Sequence, residues 1–305
     1  MEEILNQKQP IFIVGMPRSG TTLITSMLSA HPSIAIAPAE THFLNNLVKR
    51  YPHLDMSRSK DFEFFWEEFI KSERFSYLGI DAEATLARIL ATGTPDYKNI
   101  FTGVLQEYAI EMKKPRWGEK TPDHYLHINV LLEWYPQAQI IWMLRDPRAV
   151  TASLLNVPWA KPYAEGHAAT WRNNIRKMEE WTNDGRVKTI KYEELVAEPE
   201  PILIEICKFL GEEYTPELLA RSEVSNSIIN RSGWSKTHHE TVMQPVTTTN
   251  VDKWRSSLSP TQIAVVEHVT RNQMLKYGYQ PSTEGLSLLQ KVQRKIDRMR
   301  YRRRD

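Results

Sequence analysis

The first patterned stretch of the chain is a continuous apolar run, Ile11 to Val14, rich in β-branched residues and bounded by Pro10 before it and by Gly15 and Pro17 after it. A run without polar alternation predicts a strand buried on both faces, as in a parallel sheet. Leu23, Met27 and Leu28 then share a helical face until Pro32 ends the pattern, and "SIAIA" at 33–37 predicts a second short strand. Strand, glycine-bearing loop, helix and strand in succession predict an α/β fold built on a parallel sheet. Phe62, Phe65, Trp66 and Phe69 fall at i, i+3, i+4 and i+7 of a further helix, and "DAEATLARILA" opens another with an N-capping Asp81. The aromatic stripe reads as core, with the lining of a small-molecule pocket as the alternative.

The clearest strand begins at Gln139, is apolar from Ile140 to Leu144, and stops abruptly in Arg-Asp-Pro-Arg. Trp171, Ile175 and Met178 mark one more helical face, and "RVKTIKY" predicts a strand ending at Tyr192. Pro201 is expected to open a helix whose buried face is Ile202, Leu203, Ile206, Phe209 and Leu210, with Gly211 as its stop. From Arg221 to Lys253 neither periodicity is present; an irregular segment of that length inside a folded chain is usually functional or mobile.

Composition changes this picture little. The chain has 305 residues, 41% hydrophobic and 25% charged, with a formal charge of +2. Those values describe an ordinary globular protein and exclude a disordered one. The single cysteine, Cys207, lies in the apolar run "PILIEICKFL" and reads as a buried structural thiol, which leaves no disulfide framework and no thiolate metal cluster. "MEEILNQKQP" carries neither a basic n-region nor an apolar h-region, so a soluble, cytoplasmic protein is expected. The tail "LQKVQRKIDRMRYRRRD" sets Leu289, Val292, Ile296 and Met299 at helical spacing among many cations. It reads as a solvated helix, or else as a weak contact with an anionic membrane surface or an acidic partner. Aromatic residues are not interleaved there, so no nucleic-acid partner is expected. Nothing in the sequence sets the oligomeric state.

Two constellations carry chemistry. In "GMPRSGTT", Gly15 and Gly20 have the spacing of a G-x-x-x-x-G-K-[ST] phosphate loop, but Thr21 stands in the lysine's place and Thr22 in the Ser/Thr place. Such a loop aims backbone N–H groups and a helix N-terminus at one point, which favours a phosphate or sulfate, and Arg18 supplies the missing cation. The second constellation is Arg145 at the end of the strongest strand, with Ser153 eight residues on. Ligands of open α/β sheets collect outside the carboxyl ends of the strands, so Arg145 is placed in the crevice of the Arg18 loop. Two cations there call for two anionic groups on one ligand. Asp146 either holds magnesium, as in P-loop NTPases, or pairs with Arg148 and caps the next helix; without a loop lysine the second reading is preferred. His124 and His127 could share a helical face, but they show no acidic partner at ligand spacing and are not read as a metal site. His238 and His239 belong to the irregular segment and have no assigned role.

These residues resemble those of the sulfotransferases that use PAPS, adenosine 3′-phosphate 5′-phosphosulfate. "PRSGTTL" is similar to their 5′-phosphosulfate loop, and "LRDPRAVTASLL" to their 3′-phosphate motif, whose arginine and serine match Arg145 and Ser153. "AHPSIAIAPAETHFL" resembles the segment after the loop in the branch containing tyrosylprotein sulfotransferases and many bacterial enzymes, here one residue longer; the resemblance implies that Glu40 is the base. "GEKTPDHY" resembles the lysine motif of that branch and implies a role for Lys120. "IKYEELVAEPEPILIEICKFLG" implies an adenosine-side Tyr192, and "NVDKW" a late, cofactor-covering Lys253. No segment clearly supplies the catalytic histidine of the steroid-type branch.

No Ser/Gly-rich linker interrupts the chain before residue 280, so a single domain is expected over residues 1–280, followed by a basic C-terminal helix or tail at 281–305; the resemblance, which spans residues 11 to about 255, implies a P-loop-like α/β fold for it, with a helical insert after the first βαβ unit. It further implies sulfuryl transfer from PAPS without a metal. Ser19, Gly20, Thr21 and Thr22 would hold the 5′-phosphate, Arg145 and Ser153 the 3′-phosphate, and Arg18 and Lys120 the developing charge. The expected acceptor is a hydroxyl or amine of a small molecule, sugar or lipid. A secreted protein's tyrosine is disfavoured, because no secretory signal is read. Three alternatives stay open: a magnesium-dependent P-loop kinase or NTPase, a non-catalytic nucleotide-binding protein, and local structural roles for Glu40 as a first-turn helix carboxylate and Lys120 as a surface salt bridge.

Overall fold

The structure is a computed structural model and describes residues 8–220 and 246–302. Five parallel strands form one sheet: β1 (Ile11–Gly15), β2 (Ile34–Ile36), β3 (Arg116–Lys120), β4 (Gln139–Leu144) and β5 (Val187–Lys191), in the spatial order β2-β3-β1-β4-β5. Four of them, β1, β2, β4 and β5, lie where the sequence pattern predicts. The strand β3 is not an apolar run: "RWGEK" is buried at all five positions although three of them are charged. It survives inside the sheet because its charges are met. Arg116 donates to the Gln9 and Leu210 carbonyls at 2.8 and 2.7 Å and pairs with Glu212 at 3.0 Å. Gly118 has no room for a side chain, since a Cβ there would lie 2.8 Å from the Ile11 carbonyl oxygen of β1.

The two faces of β1 explain its unbroken apolar sequence. Phe12 and Val14 enter one core with Trp117, Ile140 and Trp142, while Ile11 and Ile13 enter the other with Ile34, Ile36 and Ile141. The second core is closed by α1 (Thr21–Leu28), through Ile24, Met27 and Leu28. The first is closed largely by the insert between β2 and β3, comprising α2 (Ser59–Ile70), α3 (Glu73–Leu78), α4 (Ala82–Ala91) and α5 (Tyr97–Glu111). The aromatic stripe Phe62, Phe65, Trp66 and Phe69 is core, and its rings reach the sheet through Phe43 and Phe101, whose centroids lie 4.9 Å apart. Asp81 caps α4, its side chain accepting from the Ala84 N–H.

After β3 come α6 (Ile128–Trp134), α7 (Pro147–Leu155) beyond β4, and α8 (Ala164–Met178), which buries Trp171, Ile175 and Met178. Tyr192 does not end β5; it opens α9 (Tyr192–Ala197). The helix expected from Pro201 starts at Pro199, with Pro201 still inside the tolerant first turn, and this α10 (Pro199–Leu210) ends at Gly211, φ 71°. Cys207 is buried in it, and burial pushes the thiol up to about 11. The short α11 (Glu217–Ala220) and α12 (Trp254–Ser257) flank the undescribed segment, which contains His238 and His239.

Residues beyond α12 are tied to α7 by charge. In α13 (Pro260–Lys276) the buried Glu267 accepts from Arg148 at 2.7 Å and from the backbone N–H groups of Ser282 and Thr283 at 2.8 Å each. The last helix, α14 (Leu288–Arg302), touches the body through Arg294 and Arg298 on Glu165 and through Tyr301 stacked on Tyr163. No helix among the described residues is long and apolar enough to cross a membrane.

Phe101 is fully buried between the insert and β1, so Phe101→Ala should cost about 3–5 kcal/mol of stability. Urea denaturation measures this directly; a loss below about 1 kcal/mol would mean that the insert packs on the sheet by other contacts.

Candidate active site

The β1 loop is shaped by glycines and one cation. Gly20 has φ 97°, and a Cβ on it would lie 2.6 Å from the Tyr192 ring, so only glycine fits. Arg18 itself takes φ 73°, a left-handed conformation unusual for a side chain of its size, so the loop holds backbone strain at this residue. Gly20 provides no side-chain cap for α1, leaving the first-turn N–H groups open to an anion. Ser19 is buried, and its Oγ has no hydrogen-bond partner.

Arg145 stands at the carboxyl end of β4, beside this loop. Its Nη1 donates to the Arg18 carbonyl and its Nη2 to the Asn250 carbonyl, both at 2.9 Å, and its guanidinium lies 4.0 Å from the centre of the Tyr192 ring. Its buried Nε is without a partner. Arg18 Nε donates to Ser153 Oγ at 2.8 Å, so the two predicted motifs meet. Burial, and then the nearby Arg145 charge, lower the Arg18 pKa from its ordinary value. Two guanidinium groups brought this close favour an anion between them.

Across the crevice, Lys120 at the end of β3 is fully buried and places Nζ 2.5 Å from Glu40 Oε1. The surface salt-bridge reading of Lys120 is thereby corrected. Glu40 is not a helix first-turn residue either; it precedes the π-helical turn Phe43–Val48. His42 Nε2 lies 3.0 Å from Glu40 Oε2, and Arg74 from the insert donates to the Glu40 carbonyl at 2.8 Å. Burial pushes the Glu40 carboxyl up, but the Lys120 charge and the hydrogen bonds from His42 and Lys120 outweigh it and bring it down to about 2.

The adjacent Glu119 explains why these groups sit where they do. It is 1% exposed and accepts from the Thr41 N–H at 3.2 Å, the Thr41 hydroxyl at 2.9 Å, the Thr121 hydroxyl, and His124 Nδ1 at 3.0 Å. Thr41 follows Glu40 and Glu119 precedes Lys120, so one buried carboxylate sets both neighbours. This network is not apparent from the sequence; the signal available was a histidine five residues after Glu119. His124 therefore does have an acidic partner, although among the described residues no group of three or more His, Cys, Asp and Glu is placed to hold a metal ion.

Thr21 is buried at the start of α1 and Thr22 half-buried beside it. Tyr192 forms the wall behind Gly20 and Arg145. Lys253 is not brought into the cluster: its side chain is exposed, and the link from its segment to the site is the Asn250 carbonyl on Arg145. Asp146 accepts from the Arg148 N–H as the cap of α7 and pairs with the Arg148 guanidinium at 2.6 Å, as preferred from the sequence.

Comparison with known proteins gives concordant results. Residues 10–216 match the family described as "Sulfotransferase family". The chain is 26% identical over 269 residues to a protein-tyrosine sulfotransferase of Drosophila melanogaster, covering 82% of this chain but 48% of that one, about half its length. It is 28% identical over 260 residues to the omega-hydroxy-beta-dihydromenaquinone-9 sulfotransferase Stf3 of Mycobacterium tuberculosis, covering 68% and 65%. The fold is similar to the sulfotransferase domain of the Synechococcus olefin synthase, with a TM-score of 0.65, 24% identity, and 90% and 96% of the two chains covered.

The Glu40 pKa depends on Lys120. In Lys120→Met the burial effect is left less opposed, and the Glu40 carboxyl should rise by at least about 1 unit in an NMR titration. Its depressed pKa also makes the ionised form stabilising above about pH 4.3, a contribution lost as pH falls toward about 2. An unchanged Glu40 pKa in the variant would contradict the pairing.

Proposed function

We propose that this chain, which belongs to the sulfotransferase family, transfers the sulfuryl group of PAPS to a hydroxyl or amine of a small-molecule, carbohydrate or lipid acceptor, with Glu40 taking the acceptor proton. The observation that carries the reading is the Lys120–Glu40 pair at 2.5 Å, facing a loop whose anion-seeking groups are in place. The unpartnered, buried Ser19 Oγ and Arg145 Nε fit a ligand with two phosphate-like ends, one at the loop and one at the Arg145 side. PAPS supplies an activated sulfuryl group on its 5′-phosphate and a second anion at the 3′ position.

The chain's own groups then have defined work. Ser19 to Thr22 hold the 5′-phosphate through backbone N–H and hydroxyl donors, and Arg145 with Ser153 hold the 3′-phosphate. Arg18 and Lys120 supply positive charge where negative charge develops on the bridging oxygen, the role that magnesium fills in kinases. Glu40 is held ionised by Lys120, and a carboxylate with a pKa of about 2 is a weak base. When Lys120 turns toward the developing charge, the carboxylate loses its cation and becomes more basic as the acceptor oxygen attacks. The acceptor O–H or N–H bond breaks, its proton moves to Glu40, the oxygen–sulfur or nitrogen–sulfur bond forms, and the bisphosphate leaves.

The two relatives are named for a protein tyrosine and for an ω-hydroxy menaquinone, and both names support a hydroxyl-bearing acceptor. Incubation of labelled PAPS with metabolite and lipid pools identifies it. Glu40→Gln should retain binding of the 3′,5′-bisphosphate and lose about 10²–10⁴-fold in turnover. Normal turnover in that variant removes Glu40 from the base role.

A further inference from the structure

The last helix is mounted with its apolar side outward. Its attachment to the body runs along Arg294, Arg298 and Tyr301: Arg294 and Arg298 donate to Glu165 at 2.5 Å, and Tyr301 stacks on Tyr163 with centroids 5.2 Å apart. Those residues are spaced i, i+4 and i+7 and form one stripe. Leu289, Val292, Ile296 and Met299 form a second stripe, about 170° away at 100° per residue. They are 84%, 59%, 48% and 54% exposed, and Leu288 at the helix start is 80% exposed. Helices docked on a globular body ordinarily bury the apolar stripe and expose the charged one. Here the order is reversed, and a carboxylate that is nearly buried, Glu165, holds it so.

We infer that α14 is a membrane-surface helix, laid flat with Leu288, Leu289, Val292, Ile296 and Met299 in the boundary of an anionic lipid bilayer. Charge selects this occupant. Lys295 and Arg300 are exposed on the two flanks of the apolar stripe, and the arginines committed to Glu165 are separate from them. A second copy of the helix would set like charges against each other, whereas anionic headgroups complement them. At 15 residues and about 22 Å the helix is too short to span a bilayer but suited to lie on one.

Flotation of the full chain with vesicles of phosphatidylcholine, with and without phosphatidylglycerol, tests this. Binding should require phosphatidylglycerol and weaken with salt. Val292→Asp with Ile296→Asp should reduce it at least about tenfold without changing the melting temperature, because both side chains are exposed. Lys295→Glu with Arg300→Glu keeps the apolar stripe and should weaken binding while flattening its salt dependence. The inference is overturned if phosphatidylglycerol vesicles do not bind, if the aspartate variant binds equally, or if sedimentation shows a dimer that the aspartate variant abolishes, which would make a second copy the occupant.

Discussion

A carboxylate buried near the carboxyl end of the interior strand β3, that of Glu119, constrains the arrangement of the whole candidate site. A charge removed from water is tolerated only with its hydrogen bonds complete, and Glu119 draws them from Thr41, Thr121 and His124. Burial pushes its pKa up, but His124 and the two threonine hydroxyls together hold it below the usual carboxylate value. Satisfying Glu119 locks the segment after β2 onto the end of β3. Glu40 and Lys120, one residue to either side of those contacts, have no other place to meet. The pair is therefore a consequence of β2 lying beside β3, and Gly118 permits that close packing, since a Cβ there would meet the Ile36 side chain of β2 and the β1 backbone.

The other half of the crevice is built by repulsion. Arg18 and Arg145 are held together by hydrogen bonds to the Ser153 hydroxyl and to backbone carbonyls, and Tyr192 backs Arg145 with a ring face. Positive charge fixed in advance costs no reorganisation when an anion arrives, which is the arrangement that stabilises charge developing in a transition state. The negative charge of Asp146, one residue from Arg145, is spent on Arg148 and on capping α7, so it does not cancel the field. The Arg148–Glu267 pair then fixes α13, joining the C-terminal part of the domain to the same strand end.

Much of this was legible because it rests on local rules. Apolar runs located β1, β2 and β4, the alternating "RVKTIKY" located β5, helical spacing located the aromatic core of the insert, and the glycine spacing with Arg18 and Thr21 marked the loop. The misses are residues whose role depends on distant partners. The strand β3 has one large apolar residue among charges, and its burial is intelligible only once Arg116 reaches Glu212 and Glu119 reaches Thr41. The 80-residue separation of Glu40 and Lys120 likewise hides an ion pair that no window of sequence contains. The apolar stripe of α14 was visible as spacing, but its outward mounting depends on Glu165, more than a hundred residues earlier.

We propose that the crevice between β1 and β4 is a metal-independent site for two phosphate-like groups on one nucleotide. Thermal denaturation with adenosine 3′,5′-bisphosphate in the presence of EDTA tests it most directly. At about 100 times the dissociation constant the ligand should add about 2.7 kcal/mol, and Arg145→Ala should abolish the gain. Stabilisation by magnesium-ATP alone, with none from the bisphosphate, would contradict the account.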